Sequence, residues 1–209
     1  MMRRAWLQGL LLLVAVVASG AEKAPGKGAV ASAHPLATQA GEEILRQGGN
    51  AFDAAVAVSA ALMVVEPSGS GFLGGGMYLL HRAKDGRNVV IDAREVAPLK
   101  ASRDMFLDAA GNPVRGASTN TALAAGIPGE PAGLALMQSR YGRLKLSQTL
   151  QPAIRLARDG FDMYPRLNAG IAFKRGQITK SAEGTAVWFR DGQVLPVEPH
   201  RRALGGFRD

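Results

Sequence analysis

Apolar positions along the chain recur with two periods, and the change from one to the other divides it into elements. Leu36, Ala37, Ala40, Ile44 and Leu45 recur at helical spacing, with Glu42, Glu43 and Arg46 on the opposite side. This predicts a helix that opens at Pro35 and ends in a left-handed cap at Gly48-Gly49. A short apolar piece ahead of it, residues 28–33, predicts a strand. Asn50 then suits an N-cap, with Asp53 placed to meet the positive helix end. From Ala51 to Val65 almost every residue is Ala, Val, Leu or Met, and Ser59 is the polar interruption after Asp53. A helix apolar on every side is expected to be buried on every side. Pro67 stops it.

After a Gly/Ser loop the period changes to that of a strand. Residues 77–82 and 88–92 predict a β-hairpin, with Asp85-Gly86 as its turn signal. Residues 101–127 read as loops and short helices, with Gly111-Asn112-Pro113 as a turn. Pro128-Gly129 opens a helix over 130–140 that closes at Tyr141-Gly142. Another helix is predicted over 147–158, capped by Gly160. Beyond Phe161 the pattern predicts a small hairpin around Asp191-Gly192.

The amino-terminal 21 residues follow a different logic. Met1 to Arg4 form a positive segment, Leu7 to Val17 an apolar run, and Ala18, Ser19, Gly20 and Ala21 a small-residue cleavage site. This is the pattern of a signal peptide over residues 1–21, and it predicts a periplasmic or secreted protein. The apolar run is shorter than the ~20 residues that span a bilayer, so no membrane association is expected after cleavage.

Composition narrows the classes further. The chain has 209 residues, 47% of them apolar and 20% charged, the balance of a globular protein. Its formal charge of +8 raises nucleic acid as a partner. The basic residues, however, are scattered among acids, as in Arg94-Glu95 and Arg158-Asp159, and only His200-Arg201-Arg202 forms a cluster. Without a basic face or a recognition module, a solvated basic surface is the better reading and no nucleic-acid partner is expected. The absence of cysteine excludes disulfides, a thiol nucleophile and thiolate zinc sites.

Three candidate chemistries can be weighed on the residues. Gly69-Ser70-Gly71-Phe72-Leu73-Gly74 fits the dinucleotide pattern in letters, but it lies between a helix and a strand rather than the reverse. His34, His81 and His200 are too far apart in sequence for a helical metal pair, and no G-x-S-x-G turn accompanies them. Arg94, at the end of the second hairpin strand and beside Glu95, can grip a carboxylate with two parallel hydrogen bonds. It can equally form a structural ion pair with Glu95 or Asp92, and on the residues both readings stand open.

Several stretches taken together resemble the γ-glutamyltransferase (γ-glutamyltranspeptidase, glutathione hydrolase) family. Gly48-Gly49-Asn50-Ala51-Phe52-Asp53-Ala54-Ala55-Val56-Ala57 is similar to the family's GGNAxDAAVA signature. Glu66-Pro67 and the glycines through Gly76 resemble the loop that follows it. Asp92-Ala93-Arg94-Glu95-Val96-Ala97-Pro98 resembles D-x-R-E-x-A-P, and Gly126-Ile127-Pro128-Gly129 with Ala132-Gly133 resembles G-x-P-G-x-x-A-G. Gln151-Pro152-Ala153 through Gly160-Phe161 is similar to the QPA…LAR-x-GF motif. One departure stands in the glycine loop, where Gly74 to Gly76 and Met77 replace the usual four glycines and Phe.

The resemblance implies an α+β fold, part of an N-terminal nucleophile (Ntn) hydrolase αββα sandwich that is incomplete without its C-terminal part. It implies a precursor that cleaves itself, and an amino-terminal Thr of the small subunit that attacks the γ-glutamyl amide of glutathione and passes the acyl group to water or an amino compound. Related Ntn acylases act on β-lactam side chains or poly-γ-glutamate, and an exported binding protein without activity is a further alternative. Arg94 takes the place of the family's substrate α-carboxylate ligand. No catalytic residue, metal or organic cofactor is expected in this chain, and the expected partners are a γ-glutamyl small molecule and the small subunit of the same precursor. None of Thr38, Thr119, Thr121, Thr149, Thr179 and Thr185 lies in a Thr-Thr-His-like processing site. Residues 22–195 are read as the N-terminal portion of the large subunit and 196–209 as an off-pattern tail, the expectation for a truncated or frame-shifted product. Such a half-sandwich is expected to expose strand edges and one face of the helix Ala51–Val65.

Overall fold

The computed structural model describes residues 28–197 and the backbone of residues 202–203; the expected signal segment lies outside the described residues. Helix α1, Pro35–Arg46, starts where His34 accepts the Leu36 amide on Nδ1 at 3.2 Å, and Pro35 occupies the first turn. Gly48 then leaves the helix with φ 88°, the left-handed region that glycine enters without a Cβ penalty. Helix α2, Ala51–Val65, opens with a reciprocal cap. Asn50 Oδ1 accepts the amides of Phe52 and Asp53 at 2.9 and 3.0 Å, and the Asn50 amide donates to Asp53 Oδ2 at 2.7 Å.

Asp53 does more than complement a helix end. Its carboxylate is fully buried and also receives the Arg143 amide at 3.0 Å, the Leu144 amide at 3.2 Å and Gln138 Nε2 at 2.6 Å. Asn50 Nδ2 adds a bond to the Tyr141 carbonyl at 2.7 Å. The start of α2 is thereby fastened to the turn that follows α4, Glu130–Tyr141, and leads into α5, Leu146–Thr149. Burial alone would raise the Asp53 pKa, but hydrogen bonds from Asn50, Arg143, Gln138 and Leu144 outweigh it and hold the pKa below the usual carboxylate value.

Strands β1, Gly76–Arg82, and β2, Arg87–Ala93, form the predicted antiparallel hairpin, with Tyr78 opposite Ile91 and Leu80 opposite Val89. Gly86 has φ 65° in its turn. The hairpin lays Leu80, Ile91 and Ala93 against Val56 of α2 and Leu134 and Met137 of α4, forming one apolar core. The other core joins Ala37 and Ala40 of α1, Ala60, Ala61 and Val65 of α2, and Ala153 of α6, Gln151–Asp159. Phe161, Leu167, Ile171 and Phe189 complete that second core. Helix α2 belongs to both, which explains an apolar sequence without a polar face.

The expected burial of α2 on every side needs correction. Ala51 is exposed and Ala55, Val58 and Ser59 are only half-buried, because this side lines an open cleft of about 1000 Å³. The strand expected over 28–33 is also absent. Among the described residues this segment has no ladder partner, and it lies along the same cleft. The helix expected over 147–158 is broken at Leu150 into α5 and α6. Pro152 explains the break, since it has no amide to offer the Gln148 carbonyl and its ring crowds that group.

The C-terminal region is richer than the pattern predicted. Helix α3, Ala117–Asn120, falls in the region expected to hold short helices, whereas α7, Pro165–Phe173, α8, Arg175–Ile178, and α9, Ala182–Trp188, are additional, α7 and its neighbours carrying core residues. Strand β3, Phe161–Asp162, pairs with β6, Arg202–Ala203. The small hairpin β4, Phe189–Arg190, and β5, Gln193–Val194, turns as expected through Asp191 (φ 49°) and Gly192 (φ 73°). No helix of the described residues is long and apolar enough to cross a membrane.

Replacing Asp53 by Asn removes the charge and turns an amide NH2 toward donors. Breaking a buried charged network of this kind is expected to destabilise the chain by about 3 kcal/mol, read from urea denaturation. Because the folded-state pKa is depressed, Asp53 contributes stability above its unfolded pKa and loses it as the pH falls through the folded value. Asp53→Asn should therefore remove this part of the acid-induced loss, and denaturation midpoints measured across the acid range check it.

Candidate functional site

Arg94 stands directly beyond β2, on a segment clamped by two others. Its own amide donates to Asp92 Oδ1 at 3.0 Å. Two residues on, Val96 and Ile127 exchange amide–carbonyl bonds at 3.2 and 2.8 Å. The Gly74 carbonyl in turn accepts the amides of Gly129 and Glu130, both at 3.2 Å. Residues 74–76, 93–96 and 126–130 therefore interlock through their backbones. Glycine permits this approach: a Cβ on Gly75 would lie 2.5 Å from the Ala93 carbonyl oxygen and 2.7 Å from Arg94 Cα. A Cβ on Gly129 would collide with the carbonyl oxygens of Ala93 and Arg94.

The Arg94 side chain uses this collar as a rest. Nη1 donates to the Gly75 carbonyl at 3.4 Å, and Nη2 pairs with Glu95 Oε2 at 3.1 Å. The ion pair allowed by the residues is thus formed. It leaves the Arg94 side chain 60% exposed, with guanidinium donors still free for a ligand. Exposed pairs of this type contribute about 0–1 kcal/mol, too little to make stability their main consequence. Arg94 does not line the open cleft beside α2.

A polar chain that the sequence pattern did not single out lies behind the collar. Tyr78 on β1 donates a short hydrogen bond to Glu130 Oε1 at the start of α4, and Tyr78 and Ser59 of α2 both line the cleft. Burial first, and then the bond to Glu130, push the Tyr78 phenol well above its ordinary pKa. Glu130 is 8% exposed, and its other oxygen, Oε2, is buried without a hydrogen-bond partner. Nothing in the spacing could have found the pair, since Tyr78 lies in a strand and Glu130 at a helix start 52 residues later.

The histidines serve other ends. His34 caps α1 and packs its ring on Tyr164 at 5.2 Å, and His81 pairs with Asn88 at 2.9 Å. His200 lies outside the described residues. Among the described residues no group of three or more His, Cys, Asp or Glu is arranged to hold a metal ion. The glycines of 69–74 lead into β1 rather than a helix, so they form no helix-borne phosphate cradle.

This is a mixed α/β protein in which a hairpin backed by helices carries one collared, solvent-facing arginine. A family model described as gamma-glutamyltranspeptidase matches residues 37–200, and the chain belongs to that family. It is 45% identical over 170 residues to the glutathione hydrolase proenzyme of Escherichia coli (strain K12), covering 81% of this chain and 29% of that protein. The crystal structure of Helicobacter pylori gamma-glutamyltranspeptidase is similar with a TM-score of 0.76 at 42% identity, covering 83% of this chain and 49% of that one. The acylase ACY 1 proenzyme of Pseudomonas sp. (strain V22) is 38% identical over 192 residues, covering 88% of this chain and 34% of the relative. The chain thus spans less than a third of the Escherichia coli relative's length.

Gly129→Ala should break the collar. The overpacking is expected to cost about 1–3 kcal/mol, seen as a lower urea midpoint. Gly71, where an added Cβ meets nothing within 4 Å, is the control, and Gly71→Ala should leave the midpoint unchanged.

Proposed function

We propose that this chain is the substrate-gripping portion of a γ-glutamyltransferase or glutathione hydrolase, with Arg94 holding the α-carboxylate of the γ-glutamyl group. The observation that carries the reading is the Arg94 guanidinium, propped on the Gly75 carbonyl and Glu95 yet 60% exposed. A fork fixed on one side and open on the other suits a planar carboxylate. In this reading the small subunit of the precursor supplies a Thr whose hydroxyl attacks the γ-glutamyl carbonyl. The proton passes through the Thr α-amino group to the leaving amine, and water or an amino compound then releases the acyl group. No metal or organic cofactor enters these steps.

The same reading assigns the chain to part of an Ntn αββα sandwich. Two surfaces support this assignment. Met77, Leu79 and Val90 on the outer face of the hairpin are 58%, 75% and 58% exposed, an apolar surface of the kind a second sheet covers. The cleft beside α2 is flanked by residues 28–31, which have no ladder partner among the described residues. Residues 1–21 serve as the export signal in this reading and place the protein in the periplasm or outside the cell.

The acylase relative favours a second reading, a related Ntn acylase that acts on β-lactam side chains or poly-γ-glutamate. Binding separates the two. In ligand-observed NMR on the purified chain, γ-glutamyl amides should bind and their analogues without the α-carboxylate should not. Arg94→Ala should weaken binding at least tenfold, and Arg94→Lys should restore little because an ammonium lacks the fork. Equal binding by wild type and Arg94→Ala would overturn the assignment of Arg94. Binding of analogues without the α-carboxylate as tight as that of γ-glutamyl amides would favour the acylase.

A further inference from the structure

We infer that Tyr78 and Glu130 are positioning residues for Arg94, acting through the glycine backbone that lies between them; this rests on the carboxylate-gripping reading of Arg94. The connection can be followed atom by atom. Tyr78 OH donates to Glu130 Oε1. Glu130 is fixed by its own amide to the Gly74 carbonyl at 3.2 Å. Its Oε2 lies so close over Gly76 that a Cβ there would be 2.8 Å away. Between Gly74 and Gly76 stands the Gly75 carbonyl, which accepts Arg94 Nη1.

The arrangement supplies a reason for keeping a carboxylate in a nearly closed site. Glu130 gains one strong acceptor contact from Tyr78, while Oε2 gains none. A merely structural residue at this position would be better apolar, since an unmatched buried oxygen costs free energy. What the carboxylate does achieve is to join two elements, β1 through Tyr78 and α4 through its own backbone, at the point where the Arg94 rest is made. Without the phenol hydroxyl, neither Glu130 oxygen has a partner and the carboxylate turns toward water. The Gly74–Gly76 backbone then loses the surface it lies on.

Tyr78→Phe in the full 209-residue chain is the test, because it keeps the ring and removes one oxygen. The first readout needs no ligand. Hydrogen–deuterium exchange should quicken at residues 74–77 and 94–96 and stay unchanged in α1 and in residues 161–195. Uniform quickening would mean general destabilisation and overturn the inference. Affinity for a γ-glutamyl amide should fall about fivefold, the effect of one lost hydrogen bond, and Tyr78→Phe added to Arg94→Ala should cost nothing more. Additive losses would show that Tyr78 acts independently of Arg94. Glu130→Gln, which still offers an oxygen to Tyr78, should retain most of the affinity, and Glu130→Ala should match Tyr78→Phe. If Arg94→Ala has no effect while exchange responds locally, the coupling stands and the ligand assignment falls. If Arg94→Ala abolishes binding while Tyr78→Phe changes neither readout, the coupling alone falls.

Discussion

The architecture depends on one buried carboxylate. Asp53 gathers donors from its own helix cap, from Gln138 on α4 and from the two residues that turn the chain toward α5. These donors lie 85 to 91 residues away along the sequence, apart from the local Asn50. Without an anion there, the backbone amides of Arg143 and Leu144 would be left without that acceptor in a partly buried turn. With it, α2 and α4 are held at one end, and the hairpin can pack across both. The position of Arg94 follows from that packing, because Ala93 is buried in the core that the two helices and the hairpin share.

Much of this was legible in the sequence, for physical reasons that differ between elements. The bounds of α2 could be read because Asn50 and Pro67 limit it with local chemistry. The hairpin could be read because Asp85-Gly86 and alternation act over a few residues. The absent strand at 28–33 shows the opposite case: a strand needs a partner, and periodicity carries no information about one. The break at Leu150 was missed although Pro152 was in plain view, since a proline can begin a helix as well as interrupt one. Asp53 was read as a helix-end charge, and its longer-range bonds could not be inferred from spacing.

The candidate site shows a similar division. Arg94 stood out because a charged residue follows a strand end in a distinctive segment. Its surroundings are made by backbone approach at Gly75 and Gly129, contacts that only the fold discloses. The stretch that most resembles the family, residues 48–57, turns out to be scaffold: Gly48 ends α1, Asn50 caps α2, Asp53 ties the turn, and Ala54 and Ala57 are buried. A motif can therefore identify a family through residues that cap, tie and pack its helices.

That α2 lies in both cores has a mechanical outcome. A rod whose residues serve two neighbours cannot be released by one of them alone, so the hairpin side and the α6–α7 side are obliged to come apart together. Loosening spread from either flank passes into the other through Val56, Ala60 and Ala61 rather than stopping at a linker. A bulkier side chain at Val56 presses on the hairpin layer and one at Ala60 or Ala61 on the other, and the rigid rod carries either displacement across.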